Sequence, residues 1–346
     1  MERTAQRSDA RPGAANRPPA PVPAPADDRD VHPPARRIGI DIGGSKIASA
    51  AVAAEVTAGA DPDDLLRHHR SDPWESRDYE AAVDGLARQV RWLLDELAWP
   101  DAAVGVSVAA FLTPDRSGIV EALNLGWRDR PLARDLSVVL DLPVTLHNDA
   151  NAAVWGEYLL AGSPAEGAFV LLTLGTDVGG GVVVDGRLLT GAHGIAGELG
   201  HLTVDPGGQV CVCGAAGCLA VYASGAAIAA GVRAAVPAAD LARAGGGAPA
   251  VTALARRGDE RVLAVVDRAA AAIAAASGQI SRVVDHHTLV LGGGAADLGD
   301  PLLAAVRRHL SAGVPVGPVR PHPHVRAARA GNRAGVLGAA DLAGRR

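Results

Sequence analysis

Cysteine, lysine and long apolar runs are scarce in this chain of 346 residues. The three cysteines, Cys211, Cys213 and Cys218, lie within eight positions of one another, and an odd, clustered set excludes a disulfide framework. No apolar run approaches the roughly 20 residues that a membrane span needs, and no signal peptide is recognisable at the start. The sequence therefore predicts a soluble, cytoplasmic globular protein.

A strongly basic surface is also lacking. The net charge is −5 and no arginine-rich face stands out, which excludes the usual footprint of a nucleic-acid binder. Residues 1–36 are rich in Pro, Ala and Arg, predict a disordered tail, and contain no helix-turn-helix pattern of a repressor. With 48% apolar residues, the rest of the chain is long enough for two lobes that share a cleft. Small molecules and a second copy of the chain are the expected partners.

Two segments have the pattern strand, glycine-rich turn, strand, which predicts β-hairpins over residues 37–52 and 169–184. Apolar residues at helical spacing predict a helix from Tyr79 to Ala98, and the Ala-rich stretch 225–285 is expected to be helical with a break at 245–247. Further strands are predicted at 104–109, 144–146 and 288–291, and helices at 150–160 and 333–343. The mixture of strands and helices predicts an α/β fold.

The first hairpin turn brings together a carboxylate, bare backbone amides, a hydroxyl and an ammonium group. These belong to Asp41, Gly43, Gly44, Ser45 and Lys46. Bare backbone amides can cradle a phosphate, and the carboxylate could hold Mg²⁺. The plain alternative is a turn in which glycine only supplies unusual backbone angles. Lys46 is the only lysine in the chain, and a compact point charge beside a Gly-Gly turn favours the phosphate interpretation.

The second turn, with Gly175, Thr176, Gly179 and Gly180, contains more glycine than a hairpin requires. This excess indicates close approach to a ligand. A third glycine run, Gly292 to Gly294, follows an apolar strand, where a strand-to-helix turn often needs glycine in any case.

Asn148 and Asp149 stand at the end of a predicted strand, where a helix begins. The plain interpretation is that one of them caps the helix. The helix dipole would keep an aspartate there ionised and weaken its basicity. Phosphoryl transfer needs positioning more than a strong base, so such an aspartate also suits a catalytic role.

One histidine and the three cysteines form a candidate metal site over residues 201–218. His201, Cys211, Cys213 and Cys218 match the Cys3His ligand set of a closed, structural Zn²⁺ site. Gly214 and Gly217 would provide the turns that wrap these ligands around an ion. The alternative is that the cysteines are buried free thiols.

These segments together resemble the ROK family of sugar kinases and sugar-responsive regulators, over about residues 37–344. The most specific part is the stretch 194–201 followed by 211–218, which looks like the family's diagnostic motif. The resemblance implies the two-lobed ribonuclease H-like or actin-like ATPase fold with a cleft between the lobes. It implies a smaller lobe of residues 37–146 joined by the C-terminal helix 332–346, a larger lobe of residues 147–331 with the zinc motif, and a homodimer or a dimer of dimers.

The resemblance also implies roles for particular residues. Asp149 would be the base that accepts the proton of the sugar hydroxyl, and the substrate contacts would be Asn124, Asn148, Asp149, Glu198 and His201. ATP and Mg²⁺ would be bound by Asp41, Gly43, Gly44, Ser45, Lys46, Gly175, Thr176, Gly179, Gly180, Gly292, Gly293 and Gly294. His201 would then be both a zinc ligand and a contact of the sugar.

Three positions depart from the family pattern. Ala220 stands where family kinases carry a glutamate that binds sugar hydroxyls, and losing one such acceptor changes binding by about 1–3 kcal/mol. Ala110 replaces a glycine near the sugar. Asp177 replaces a glycine of the second phosphate loop, where aspartate would need to tolerate left-handed backbone angles and would bring charge near the phosphates.

The function that these residues predict is an ATP- and Mg²⁺-dependent kinase for the primary hydroxyl of a hexose or hexose-like polyol, with glucose as the default substrate. The alternatives are a kinase for a C7-cyclitol of aminocyclitol biosynthesis or for an N-acetylhexosamine. Ala220 and Ala110 alter the part of the predicted site that contacts the sugar and leave the residues for phosphoryl transfer in place. A non-catalytic sugar-sensing protein and a degenerate member that does not bind ATP are the remaining alternatives.

Overall fold

The structure is a computed structural model that describes residues 35–44, 46–52, 56–74, 76–164, 167–313 and 321–343. The predicted tail, residues 1–36, lies outside this part of the chain except for its last two residues. The strands are β1 (Arg37–Ile42), β2 (Lys46–Val52), β3 (Leu66–Pro73), β4 (Ala103–Val108), β5 (Phe111–Leu112), β6 (Ile119–Ala122), β7 (Trp127–Arg130), β8 (Val144–Asn148), β9 (Ala168–Leu174), β10 (Val178–Val184), β11 (Arg187–Leu188), β12 (His286–Gly292) and β13 (His324–Ala327). The helices are α1 (Pro62–Leu65), α2 (Tyr79–Leu97), α3 (Leu132–Leu140), α4 (Asp149–Leu160), α5 (Ala220–Ala223), α6 (Gly225–Ala235), α7 (Ala238–Arg243), α8 (Gly247–Arg256), α9 (Glu260–Val284), α10 (Asp300–Gly313) and α11 (Ala334–Leu342).

Two five-stranded sheets are built on the same plan. The first has the order β3-β2-β1-β4-β8 and the second the order β11-β10-β9-β12-β13. In each sheet an antiparallel hairpin, β1–β2 or β9–β10, is followed by two strands that run parallel to the hairpin's first strand. A small antiparallel sheet, β5-β6-β7, is inserted after β4. The predicted α/β class and both predicted hairpins are confirmed.

Helices α4 and α11 lie between the two sheets and contact each other closely. A Cβ atom built on Gly105 of β4 would lie 1.8 Å from the carbonyl oxygen of Ala339, and one on Gly39 of β1 would lie 2.0 Å from that of Val336. Helix α11 therefore rests directly on the backbone of the first sheet. The buried carboxylate of Asp341 on α11 accepts hydrogen bonds from Arg37 of β1 and Trp155 of α4, which ties this junction together.

Helix α2 follows the predicted helical spacing. Its buried positions include Val83, Leu86, Val90 and Leu93, and it ends at Ala98, whose φ is 50°. The Ala-rich stretch consists of four helices, α6 to α9, so it is interrupted more often than its composition suggested.

Helix α9 is long and apolar enough, by length and composition alone, to cross a membrane. In the fold, 61% of its most apolar window is buried, as in the core helix of a soluble protein. Its buried face includes Val262, Val266, Ile273 and Ile280, which join the apolar core of the second sheet.

Candidate active site

A cleft of about 1310 Å³ opens beside the carboxyl ends of the central strands of both sheets. Ligand sites of α/β sheets are expected at this edge. The structure brings twelve of the predicted site residues to its walls: Gly43, Gly44, Asn124, Asn148, Asp149, Gly175, Thr176, Gly179, Gly180, Glu198, His201 and Cys211. Of the remaining predicted residues, Asp41, Lys46, Gly292, Gly293, Gly294, Cys213 and Cys218 do not line it, and Ser45 lies outside the described residues.

Asn148 caps helix α4, so the neighbouring Asp149 is not the cap. Its Oδ1 accepts hydrogen bonds from the backbone N–H groups of Ala150 (3.0 Å) and Asn151 (3.2 Å). Its Nδ2 donates to the carbonyl oxygen of Ala110 at 3.4 Å. Of the two candidate caps in the sequence, Asn148 is the one used, so Asp149 is the first helical residue and lines the cleft without a capping role.

Burial raises the pKa of Asp149 above the ordinary value of an aspartate, and this outweighs the backbone N–H groups of Asp149 and Ala150, which lower it. The sequence argument considered only the helix dipole and expected weakened basicity, so its sign was wrong. Burial destabilises the ionised carboxylate more than the helix N-terminus stabilises it. The result is a better proton acceptor than an exposed aspartate.

Asp41 forms a second buried carboxylate behind the first turn. Ser107 on β4 donates a hydrogen bond of 2.6 Å to its Oδ1. Burial raises the pKa of Asp41 to about 6; Ser107 and Lys46 act in the opposite direction, and the negative charge of Asp149 adds to the rise. Asp41 and Asp149 are therefore close enough to influence each other, although Asp41 lies on β1 and Asp149 begins α4.

The first hairpin turn is compact. The N–H of Gly43 donates to the carbonyl oxygen of Lys46 at 3.0 Å. A Cβ on Gly44 would have no neighbour within 4 Å, so this glycine faces open space at the cleft. The open position leaves room for a ligand beside the backbone, as the phosphate interpretation requires.

The second hairpin turn is shorter than predicted, because β10 already begins at Val178. The glycines of β10 are explained by packing within the protein. A Cβ on Gly179 would lie 2.6 Å from Thr173 Oγ1, one on Gly180 would lie 2.5 Å from Leu199 Cβ, and one on Gly181 would lie 2.4 Å from Val154 Cγ1. Packing thus accounts for the absence of side chains at these positions. Gly175, Gly179 and Gly180 also line the cleft, so the inference that the glycine excess allows close approach of a ligand stays a prediction.

Asp177 closes this turn with ordinary backbone geometry. Its carbonyl oxygen accepts the N–H of Gly175 at 2.9 Å, and its Oδ1 accepts the N–H of Val178 at 2.8 Å. Its φ is not among the positive values of the described chain, so no left-handed conformation has to be tolerated there. Its carboxylate lies at the cleft wall, as the sequence predicted.

The third glycine run lies behind the second turn. Gly293 has φ 76°, and a Cβ there would lie 2.7 Å from the backbone of Leu174, the residue before Gly175. Gly293 thus supports the second turn from behind. Gly294 has no neighbour within 4 Å of a built Cβ.

Glu198 and His201 also line the cleft. Partial burial raises the pKa of Glu198, the neighbouring His201 lowers it, and the negative charges of Asp149 and Asp177 raise it further. These interactions indicate one electrostatic neighbourhood at the bottom of the cleft. Carboxylates and an imidazole on one wall can bind several hydroxyl groups of a polar ligand.

The histidine and the cysteines of the predicted metal site come together. The ligand atoms of His201, Cys211, Cys213 and Cys218 lie within 4.8 Å of one another, with His201 Nδ1 3.6 Å from Cys211 Sγ and Cys213 Sγ 3.6 Å from Cys218 Sγ. Standard Zn–S and Zn–N lengths in a tetrahedron give edges of about 3.8 Å for S···S and about 3.6 Å for S···N. The donor set and its spacing fit Zn²⁺.

The loop of this cluster is shaped by glycine as predicted. Gly214 has φ 89° and Gly217 has φ 72°, both in the left-handed region that favours glycine. A Cβ on Gly217 would lie 1.6 Å from the carbonyl oxygen of Asp205, so that position tolerates no side chain. The cluster lies directly beside the cleft, because His201 and Cys211 belong to both.

Several residues at the site were missed in the sequence. Arg77 lines the cleft, Trp74 contacts the first turn, and Ser107 bonds to Asp41. Trp74 and Arg77 stand between β3 and α2 and belong to no motif. For Ser107, a polar residue in the middle of an apolar strand was a usable signal.

A two-lobed α/β fold with twin glycine turns facing one cleft is that of the actin-like ATPases. The ROK family matches residues 37–346. The glucokinase of Streptomyces coelicolor is 35% identical over 320 residues, which is 88% of this chain and 96% of that protein. An N-acetylmannosamine kinase of Escherichia coli is 35% identical over 312 residues, which is 88% of this chain and 97% of that protein.

Among solved structures, the ROK family glucokinase of Streptomyces griseus in complex with glucose and AMPPNP is 32% identical and superimposes with a TM-score of 0.75, covering 89% of this chain and 99% of that chain. The chain belongs to the ROK family. The predicted family, the predicted fold and the predicted enzyme class, an ATP-dependent carbohydrate kinase, are confirmed.

Proposed function

We propose that this protein transfers the γ-phosphoryl group of ATP to the primary hydroxyl of a hexose, with glucose as the default substrate. The observation that carries the proposal is the position of Asp149: its carboxylate lines the cleft at the start of α4, free of capping, with a raised pKa. Glucokinases are among the similar proteins, and one was solved with glucose and a nucleotide analogue.

In the proposed reaction Asp149 accepts the proton of the sugar's primary hydroxyl while that oxygen attacks the γ-phosphorus. The bond from the γ-phosphorus to the β,γ-bridging oxygen breaks, and ADP leaves with the electron pair. Asn124 would hold the sugar from the side of the first lobe, and Asn148, Glu198 and His201 from the side of the second. The role of the protein is to align the reacting atoms and exclude water.

Gly43 and Gly44 on one side and Gly175 and Thr176 on the other would hold the phosphates of ATP. Gly292 to Gly294 would support the adenosine side from behind the second turn. Asp41 is the residue we propose to serve Mg²⁺, since its carboxylate is buried behind the first turn and carboxylate oxygens are preferred ligands of this cation. When bound, Mg²⁺ would neutralise phosphate charge.

We also propose that His201, Cys211, Cys213 and Cys218 bind one structural Zn²⁺. A closed site with four protein ligands has no open position for chemistry, so its role would be to fix the loop that carries His201. Protein washed with a weak chelator should contain about one zinc per chain by elemental analysis, and Cys213→Ser should lose it. His287→Ala, which removes an exposed histidine outside the cluster, is the matched control. A full zinc content in Cys213→Ser would rule out this ligand set.

The substrate is proposed with two alternatives. Ala220 is buried at the cleft wall as the first residue of α5 and offers no carboxylate there, and Ala110 also lines the cleft. A kinase similar to this chain acts on N-acetylmannosamine by its name. An N-acetylhexosamine and a C7-cyclitol therefore remain the alternatives, because both keep a primary hydroxyl while presenting a different ring edge.

The deciding experiment is a screen that couples ADP release to NADH oxidation, with glucose, N-acetylmannosamine, N-acetylglucosamine and C7-cyclitols as acceptors. The highest kcat/KM identifies the substrate. Absence of turnover with every acceptor, together with measurable sugar binding, would favour the non-catalytic sugar sensor instead. Replacing ATP with other phosphoryl donors in the same assay tests the donor.

Three further expectations are proposals. The lobe boundaries 37–146 with 332–346, and 147–331, would place the two glycine turns on opposite sides of the cleft. The dimer is tested by light scattering at two protein concentrations. The cytoplasmic location is tested by fractionation of the source cells.

A further inference from the structure

One guanidinium group joins two loops of the first lobe. Arg77 Nη2 donates to the carbonyl oxygen of Gly44 at 2.7 Å, and Arg77 Nη1 donates to that of Asn124 at 3.1 Å. Gly44 belongs to the turn proposed to hold phosphate, and Asn124 belongs to the segment proposed to hold the sugar. The planar fork of arginine can address two fixed acceptors at once, which the ammonium of lysine does poorly.

Trp74 holds the same turn from the same segment of the chain. Its Nε1 donates to the carbonyl oxygen of Gly43 at 2.8 Å. A trans peptide is planar, with its C=O and N–H pointing in opposite directions. A donor that captures the carbonyl of Gly43 therefore also fixes the direction of the N–H of Gly44, the kind of group that binds phosphate oxygens. Trp74 and Arg77, which we call the bridge, thus orient this turn through its carbonyls.

The bridge is anchored in the core of the first lobe. Trp127, buried and only three residues after Asn124, donates its Nε1 to the carbonyl oxygen of Arg77 at 2.8 Å. Its ring contacts those of Trp74 and Tyr79 edge to face, at 5.9 Å and 5.4 Å between centroids. The backbone of Arg77 is therefore held in place, and its side chain, which lies exposed at the cleft wall, is free to respond to the two loops.

We propose that Arg77 is a positioning residue that couples the binding of the phosphoryl donor to the binding of the sugar. A ligand that orders one loop would order the other through their shared guanidinium, and the coupling must be equal in both directions. This inference rests on the proposed function, since it assigns the two loops to ATP and sugar. No direct contact of Arg77 with either ligand is required.

The alternative role for a cation at this wall is direct neutralisation of the phosphates. The two roles differ in what they require. Neutralisation needs only the charge, which Arg77→Lys keeps, whereas coupling needs both hydrogen bonds of the fork, which lysine does not restore. Trp74→Phe removes the hydrogen bond to Gly43 but keeps an aromatic ring against Trp127.

The test is calorimetric titration of AMPPNP with and without saturating sugar, using the best acceptor from the screen. For the unchanged protein we expect sugar to tighten AMPPNP binding by about fivefold or more. In Arg77→Ala and in Arg77→Lys that ratio should fall to about one, and KM for ATP and for sugar should rise together in steady state. Trp74→Phe should weaken AMPPNP binding while keeping part of the coupling. Arg91→Ala is the matched control, because Arg91 also donates to a carbonyl of the first lobe, that of Val139 at 2.7 Å, away from the cleft.

The proposal is overturned if Arg77→Lys binds both ligands with the coupling of the unchanged protein, since charge alone would then suffice. It is equally overturned if the unchanged protein shows no coupling, or if Arg91→Ala loses coupling as Arg77→Ala does. These failures leave the proposed function standing, because turnover of the unchanged protein is measured separately. If no acceptor is phosphorylated, the proposed function itself fails.

Discussion

The α-carbon of Gly338 on α11 lies against the backbone of Ala152 on α4, so closely that a Cβ built on Gly338 would be 1.8 Å from the carbonyl oxygen of Ala152. The two helices that separate the sheets therefore touch through their main chains. Helix α4 begins with Asp149, so this contact also determines where the proposed base stands.

Gly338→Ala should destabilise the protein. The added methyl group must push the helices apart, and overpacking of this kind typically costs about 1–3 kcal/mol. Gly85→Ala is the matched control: Gly85 lies within α2, where a Cβ would meet only the flexible end of Arg88 at 3.6 Å. That variant should gain about 0.5–1 kcal/mol from helix propensity. Urea unfolding measures both, and equal effects would contradict the contact.

Asp149→Asn should lower kcat by about 10²–10⁴-fold, the usual contribution of a positioned general base. Because Asn148 and not Asp149 caps α4, the fold and AMPPNP binding should be retained. Steady-state kinetics and calorimetric titration measure the two effects. Asp84→Asn, which changes an exposed aspartate of α2, should leave kcat unchanged. Residual activity in Asp149→Asn within a few-fold of the unchanged protein would remove Asp149 as the base.

The buried carboxylates predict a definite pH dependence. The pKa of Asp41 is raised to about 6 in the folded protein, against 3.8 when unfolded. Between these values the folded state binds more protons than the unfolded state, so the free energy of unfolding falls as pH rises from 4 to 6. Well above pH 6 Asp41 is ionised in both the folded and the unfolded state, so the free energy of unfolding falls no further. Asp41→Asn should therefore stabilise the ligand-free protein more at pH 7.5 than at pH 4.5, by a difference on the order of 2 kcal/mol.

The groups facing Asp41 are Ser107, Asp149 and Lys46, and Asp149 shifts in the same direction. Activity should change with pH in the opposite direction to stability, since Asp149, the proposed base, can accept a proton only when it is ionised. Activity should therefore fall on the acid side at a pH above the ordinary pKa of an aspartate. A stabilisation by Asp41→Asn that is the same at both pH values would contradict the burial of this carboxylate.

Ala220→Glu should raise kcat/KM for glucose by about tenfold if the absent carboxylate accounts for altered specificity, because one hydrogen-bond acceptor is worth about 1–3 kcal/mol. Ala220 is buried at the cleft wall, so the new side chain has to enter the cleft. Ala220→Leu adds bulk without an acceptor and should lower activity on every sugar. An unchanged order of substrate preference in Ala220→Glu would show that position 220 does not select the sugar.

Local patterns were enough to predict much of this fold. Alternation and glycine turns gave both hairpins, helical spacing gave α2, and the Cys/His spacing gave a cluster whose atoms do come together. These features depend on neighbours in sequence. Asn148 and Asp149 were both candidate caps, and only the backbone geometry distinguishes them.

Features that depend on distant segments were misjudged or missed. Position 180 has no room for a side chain because Leu199 packs against it, and no local sequence pattern predicts that contact. The raised pKa of Asp149 results from its burial in the fold, which outweighs the backbone N–H groups at the start of the helix. Arg77 joins Gly44, 33 residues earlier, to Asn124, 47 residues later. No sequence motif connects residues that are so far apart in the chain.

Lys46 begins β2, exposed at the edge of the first turn, and it is the only lysine in the chain. Amine-selective acylating reagents consequently have a single side-chain target in this protein, besides the terminal amine. A fluorophore or crosslinker attached in this way is delivered to the first hairpin turn without any engineered cysteine, which would compete with the Cys/His cluster. The composition of the chain thus supplies a built-in attachment point on the first hairpin turn, next to the cleft.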